Sequence, residues 1–553
     1  MKATRRYRSY RAPQADRQIL CEPPWPALSD RRADGRHVLE SSAVEIQGIP
    51  LAELRRDARR ALIVHAQHDP NPCADASTDT NIEVDENKPL IITGHQPEFM
   101  HPGVWLKNFA AAQLAQEVGG TSVSLIIDND LCRATSIRVP TGSVEQPRAV
   151  NIPFDQRQPD TPYEERRIFD RSLWNSFGDR VTQALAPLVP DPLIAEWWPE
   201  VVKSSESTEL LGLAIARARH RLQMNWGSHS LEVAQSQVCQ APPFHRFALH
   251  LLSAAPRLRQ SYNHALADYR QAHNLRSAAQ PLPDLSEVEG WIETPFWIWT
   301  QENPTRRALF AQSSPQGILL SDRLHWQDAL PRTSGGDSRL AIQRLAEWHQ
   351  QGVKLRSRAL ITTLYARLLL ADMFIHGIGG ANYDQVTDSL CQSFYGIIPP
   401  AFVTLSGTLR LPIEHQSVSS ARLSELRQTL RELHYHPESL LSQLALDQLA
   451  PDQLALDPAG QLQVASWIAQ KKRWIKIAKD SANAAERHVQ IVAANEGMQP
   501  WLEPLRKKVE NELAATVAQT RRNQLLESRE YPFCLFPRDL LRKFLLDFRR
   551  HIP

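Results

Sequence analysis

Between Pro89 and Asp128 the chain reads as strand, loop, helix, strand, and this run constrains the fold more than any other part of the sequence. Pro89-Leu90-Ile91-Ile92-Thr93 is a short apolar strand pattern, and GHQPEFMHPG (94–103) is a loop. VWLKNFAAAQLAQEV (104–118) carries helical periodicity, Gly119-Gly120 closes the helix, and TSVSLIID (121–128) is a second strand. A βαβ unit buries its parallel strands on both faces. It aims the strand-to-helix loop at the carboxyl edge of the sheet, where α/β proteins hold their ligands. An α/β fold with a parallel-sheet core is therefore expected.

The rest of the chain arranges itself around that unit. Residues 1–85, rich in Arg, Asp and Pro, read as a lead-in segment with one helical pattern near Leu51–Val64, ending in a polar loop. Residues 86–415 form the core, interrupted at about 153–290 by a mainly helical insertion. FWIWTQ, RALFAQ, GILLS and AFVTLSGTLRLP supply further strands. Residues 416–529 are nearly all helix-forming. Leu423, Leu426, Leu430 and Leu433 make one stripe and Ile468, Ile475, Ala482 and Val489 another, which suits an antiparallel helical hairpin. A tandem pentapeptide (443–457) between the stripes reads as a connecting turn. The last segment, 530–553, is apolar enough to dock on the core.

Charge and cysteine usage remove several function classes. Among 553 residues, 63 Lys and Arg nearly balance 61 Asp and Glu, so no global field draws the protein to nucleic acid or an anionic membrane. The six cysteines are scattered without a C-x-x-C pair, which fits reduced thiols and a cytoplasmic location. No apolar stretch is long enough for a membrane span, and the basic N-terminus has no apolar run behind it. His65, His68 and Cys73 lack a fourth ligand for a metal site, so no resident metal is expected. The 14 tryptophans, including Trp197-Trp198, read as core or interface.

Three loops carry residues suited to chemistry. In the first, Gly94 lets the backbone approach a ligand, and the following helix start attracts phosphate or carboxylate. His95, Gln96 and His101 can donate to the same anion. In the second, Asp128-Asn129-Asp130 ends the next strand at the same edge, where carboxylates hold a ribose, an amine or Mg²⁺, or simply turn the chain. The third is His376-Gly377-Ile378-Gly379-Gly380-Ala381-Asn382-Tyr383-Asp384, a glycine-rich loop with Tyr383 and Asp384 as polar donors. Arg356 and Arg358 lie upstream as candidate anion clamps. The catalytic candidates are His95, His101, Asp128 and Asp130. Gly94, Gln96, Asn129, Arg358, His376, Gly377, Gly379, Gly380, Tyr383 and Asp384 are the candidates for substrate or nucleotide binding.

In order and spacing these motifs resemble the cysteine ligase family of bacillithiol biosynthesis (BshC), which joins cysteine to the amine of a malyl glucosaminide. That family has a T-G-Q-Q loop, an E-D-H-D-type strand end, a G-G-P-G-E-x-x-Y loop and a coiled-coil arm. This chain offers Thr93-Gly94-His95-Gln96, Asp128-Asn129-Asp130, and His376-Gly377-Ile378-Gly379-Gly380 with Tyr383. His95 replaces a glutamine, Asn129 a histidine and Gly380 a glutamate. The resemblance implies a Rossmann-like core related to nucleotidyltransferases, a homodimer formed through a coiled-coil arm, and ligation of a carboxylate to an amine using ATP or ADP with Mg²⁺. On this expectation His95, His101 and Arg358 meet phosphates while Asp128 or Asp130 orients the amine. Two other readings predict different behaviour: a nucleotide-binding or nucleotidyl-transfer protein without ligation, and a dimerising scaffold with a decayed site.

Overall fold

The computed structural model describes residues 7–68, 85–332, 337–440 and 458–552. The tandem pentapeptide and Cys73 lie outside them. The chain divides into two units, one of Met1–Thr141, Ala149–Pro412 and Ser528–Pro553, the other of Gly142–Arg148 and Ile413–Glu527.

The first unit is mixed α/β, built on a six-stranded, mostly parallel sheet. Its strands are β1 (Ile19–Glu22), β2 (Leu90–His95), β3 (Thr121–Ile126), β4 (Leu231–Ala234), β5 (Met373–His376) and β6 (Phe402–Gly407). They lie in the order β1-β6-β5-β2-β3-β4. Every pairing is parallel except that of β1 with β6 at one edge. From β2 the chain steps outward through β3 to β4, then returns to the other side of β2 as β5 and β6. The direction of winding thus reverses between β2 and β5, and at such a point the loops leaving two adjacent strands diverge and open a crevice.

Local sequence explains the framework. Leu90, Ile91 and Ile92 are fully buried, as expected for a parallel strand covered on both faces. Helix α2 (Pro102–Glu117) starts with His101 as N-cap, its Nδ1 accepting from the Gly103 amide, and with proline at the first turn. Gly103 is obligatory for a second reason: a Cβ there would run into the Gly407 carbonyl at the end of β6.

Two departures from the sequence reading concern where strands come from. Residues 1–85, read as a lead-in, supply the edge strand β1 and helix α1 (Leu51–His68). From α1, Arg55 and Arg59 each reach Asp372 at 2.8 Å, and the Leu90 amide donates to the same carboxylate, so a buried ion triad clamps the amino ends of β2 and β5. The expected helical insertion contributes β4, a four-residue strand too short to show a period of its own. The strands near 291–321 lie in a separate antiparallel sheet, where Trp291–Thr300 pairs with Arg307–Ser314 and with Val353–Ser357. Among the described residues, no helix is long and apolar enough to cross a membrane.

Among the described residues, the second unit includes the helices Ser420–Tyr435, Pro458–Lys476 and the 43-residue Ala484–Leu526. The long helix runs antiparallel to both shorter ones. Glu512 meets Arg422, Gln499 donates to the Leu433 carbonyl, and Gln490 accepts from Gln470. Leu426, Leu433, Met498 and Leu502 form its core with Leu430 alongside, in keeping with the first leucine stripe. The second stripe holds at Ile468, which packs against that core, and not beyond it. The chain turns between Lys476 and Ala484, with Asp480 Oδ1 accepting from the Ala482 and Asn483 amides, leaving Ile475 and Val489 exposed. Local side-chain acceptance by aspartate competes with the helix at that point.

Candidate functional site

The carboxyl ends of β2, β5 and β6 and the start of α2 meet at the reversal point. Lys107, one turn and a half into α2, is 5% exposed, and its side chain runs back toward the helix start. Its Nζ donates to the Gly94 carbonyl at 2.7 Å, and its stem lies 3.9 Å from where a Cβ on Gly377 would be. Among the described residues no carboxylate pairs with this ammonium. Burial, reinforced by Arg219, lowers its pKa from 10.5 to about 8.

His376 ends β5 and is 4% exposed, with Nε2 donating to Asp384 Oδ2 at 2.8 Å. Asp384 also accepts from Arg367 at 2.6 Å, and Arg367 in turn holds Asp388. Burial opposes the charge on Asp384, but Arg367 and His376 outweigh it and hold the carboxyl well below its usual range. Burial lowers the pKa of His376, leaving a neutral imidazole. A Cβ on Gly380 would lie 2.6 Å from His376 Nδ1, so glycine is what this ring position requires. Gly377 caps helix α3 (Ile378–Tyr395), and Gly379 faces open space, so this backbone is bare.

His101 stands on the opposite wall. Its Nε2 lies 3.4 Å from Arg529 Nη2, which donates to Ser406 Oγ at 3.1 Å. Burial, then Arg529 and Lys107, push the His101 pKa down to about 3. Arg529 arrives on the C-terminal segment, anchored by the Phe533 amide donating to the Met100 carbonyl and by Phe533 packing on Trp105.

Several expected site residues have other work. His95 is a core histidine rather than a phosphate ligand: Nε2 meets Asn108 Oδ1 at 3.1 Å and Nδ1 the Gln96 carbonyl at 3.2 Å. Both partners are acceptors, so the neutral ring, held well below its ordinary pKa by burial, Arg219 and Lys107, donates to one at a time. Arg358 also misses the crevice. It stacks 4.0 Å over Trp297 and pairs with Glu293 at 2.7 Å. Arg356 is clamped by both oxygens of Glu164. Tyr383 is 40% exposed on α3.

Asp128, Asn129 and Asp130 gather farther along the same edge. Asp128 accepts from the Ser236 amide and hydroxyl, and burial, with Glu164 nearby, raises its pKa to about 7. Asn129 donates to the Ser357 carbonyl. Asp130 binds Arg306 at 3.0 Å and Gln96 at 3.1 Å, which ties this cluster to the loop after β2. Among the described residues no group of three His, Cys, Asp or Glu is placed to hold a metal ion.

Of the residues singled out in the sequence, Gly94, His101, His376, Gly377 and Asp384 lie in this region, beside Lys107, Ser406 and Arg529, which were not singled out. One signal for Lys107 was available. It is the sole charge in the first three turns of a helix apolar on nearly every side, where a lysine cannot reach bulk water. No protein-family model matches the chain, and no curated protein matches it. What the geometry defines is a mixed α/β protein in which Lys107, His101 and Arg529 lie near the winding reversal of its parallel sheet.

Proposed function

We propose that the first unit is a Rossmann-like enzyme core that takes an anionic small molecule at the β2/β5 crevice. On the resemblance described above, it joins an amino-acid-type carboxylate, cysteine in that family, to a small-molecule amine. The observation that carries this reading is Lys107. A buried ammonium without a counter-ion costs stability, and a ligand anion is what would compensate it. One helix start, at Gly377–Gly380, presents backbone amides there, whereas at the start of α2 the Gly103 amide is already taken by His101 Nδ1.

These residues fit a nucleotide phosphate group. A bound nucleotide would supply carboxylate activation, with Mg²⁺ coordinated largely by the phosphates themselves. Lys107 would hold the phosphoryl charge, and the bare backbone at Gly377–Gly380 would let it approach. His376, neutral and hydrogen-bonded to Asp384, would take the proton an amine loses as its nitrogen bonds to the activated carbonyl and the nucleotide leaves. Asp128 and Asp130, expected to orient the amine, are engaged by Ser236 and Arg306. That engagement favours the second reading, nucleotide binding without ligation, as the main competitor. As part of the same proposal, the helical unit acts as a coiled-coil arm pairing two chains, which light scattering of the purified protein would show as a dimer.

A thermal-shift screen against ATP, ADP, cysteine, a malyl glucosaminide and Mg²⁺, singly and in pairs, separates the readings. Nucleotide and cysteine or glucosaminide each stabilising the protein, and more so together, is the expected outcome. Stabilisation by nucleotide alone would transfer the proposal to the competitor, and no shift with any of them would defeat both.

A further inference from the structure

His101 and Arg529 bring two donors face to face. His101 Nδ1 is occupied as the N-cap acceptor of the Gly103 amide at 3.1 Å, so in the neutral ring the proton sits on Nε2. That N–H faces Arg529 Nη2 at 3.4 Å, a nitrogen that is itself only a donor. Two donors this close do not bond each other; they can share a third atom that accepts from both. Arg529 Nη1 is buried and has no hydrogen-bond partner among the described residues. The carboxylate nearest the guanidinium is Glu530, 3.3 Å from Nε and 3.9 Å from His101 Nε2, with its side chain 70% exposed. Lys107 stands on the helix that His101 caps, with its side chain running back toward the helix start, and acts electrostatically on the same histidine.

We propose that Arg529, His101 Nε2–H and Lys107 form one clamp for a phosphoryl group carrying two negative charges, so that the segment following the helical unit completes the ligand site. The clamp rests on the reading of the β2/β5 crevice as an anion site and specifies the occupant. The guanidinium fork would meet two oxygens of a phosphoryl group, the imidazole beside it would donate to one of them, and the ammonium would supply a point charge. A phosphoryl group turns three oxygens in different directions and carries up to two charges, whereas a carboxylate offers two oxygens in one plane and one charge. Ser406 Oγ already accepts from Arg529 and keeps the fork aimed at this position.

Isothermal titration of the full chain with inorganic pyrophosphate, and separately with L-malate, tests this on the wild type and on Lys107→Met, Arg529→Gln, Arg529→Lys and Glu530→Gln. Circular dichroism accompanies each variant as a folding control. Pyrophosphate is expected to bind the wild type, with K107M and R529Q each weakening it tenfold or more. R529K should retain part of the affinity, and E530Q should bind at least as tightly as wild type. If R529Q and R529K bind pyrophosphate like wild type while K107M does not, the clamp is wrong and the crevice reading stands. If malate binds wild type as tightly as pyrophosphate, the phosphoryl assignment is overturned. If neither anion binds the wild type, both the clamp and the crevice reading fall.

Discussion

Replacing Lys107 by methionine should make the protein more stable at neutral pH. The ammonium is 5% exposed, donates to one carbonyl, and has its pKa lowered from 10.5 to about 8, chiefly by burial. That difference corresponds to about 3 kcal/mol of cost for carrying the charge in the folded state. Methionine has nearly the same length and no charge, so the cost disappears. The Gly94 carbonyl loses its partner, which returns about 1 kcal/mol. A net gain of about 2 kcal/mol at pH 7 follows. The sign depends on pH in a defined way. Because the unfolded chain holds the Lys107 proton more tightly, the cost is fully present below about pH 8 and vanishes as pH rises through 10.5. The advantage of K107M should therefore shrink over that window and reverse by about 1 kcal/mol above it, as the lost carbonyl partner is all that remains. Urea denaturation followed by tryptophan fluorescence at pH 7, 9 and 10.5, read as a difference between the two proteins, cancels the other titrating groups. A variant less stable than wild type at pH 7, or a difference flat with pH, would refute the idea of an uncompensated charge.

Three further outcomes are expected. Asp372→Asn leaves Arg55 and Arg59 buried beside a neutral amide, and should cost about 3–5 kcal/mol in urea denaturation; a loss below about 1 kcal/mol would mean the triad is not what clamps β2 to β5. Asp128 has a folded pKa of about 7 against an ordinary 3.8, so its contribution to stability is complete below pH 3.8 and is lost as pH rises through 7. Asp128→Asn should flatten that part of the stability profile by up to about 4 kcal/mol, and a profile identical to wild type would contradict the raised pKa. Gly103→Ala sets a methyl group against the Gly407 carbonyl and should lower stability by about 1–3 kcal/mol, visible as a drop in melting temperature, whereas an unchanged melting curve would show that α2 can slide off β6 without cost.

How much of this was legible depended on the range over which each signal acts. The β2-loop-α2-β3 run could be read because period and turn residues are local, and PLIIT and TSVSLIID are buried strands as their composition demands. Strand order could not be read, since nothing in LEVA (231–234) distinguishes a sheet edge from a helical linker, and nothing in ILCE (19–22) announces an antiparallel neighbour some 380 residues away. The glycine-rich segment was located, but its helix begins within it, so Tyr383 turns outward while Asp384 turns in to His376. His95 looked like a ligand because a histidine after a strand is accessible in principle. The Asn108–Gln223 pair that claims its ring is visible only once α2 and the helix Leu211–Asn225 pack together. Arg529 was beyond reach for the same reason, lying more than 400 residues from His101.

The two ends of the central strand pair treat charge in opposite ways, and the contrast argues for function at one of them. At the amino ends of β2 and β5, Asp372 meets two arginines and a backbone amide, and its oxygens are satisfied as the chain folds. Burial there is compensated within the protein, and Arg59 needs no ligand. At the carboxyl ends, barely six residues along the same strands, Lys107 has one carbonyl, His101 and Arg529 face each other as donors, and no acid among the described residues pairs with the ammonium. The aspartate at that end, Asp384, is taken by Arg367 and His376. On the anion-site proposal, the group that completes this end would bring negative charge and several acceptor atoms.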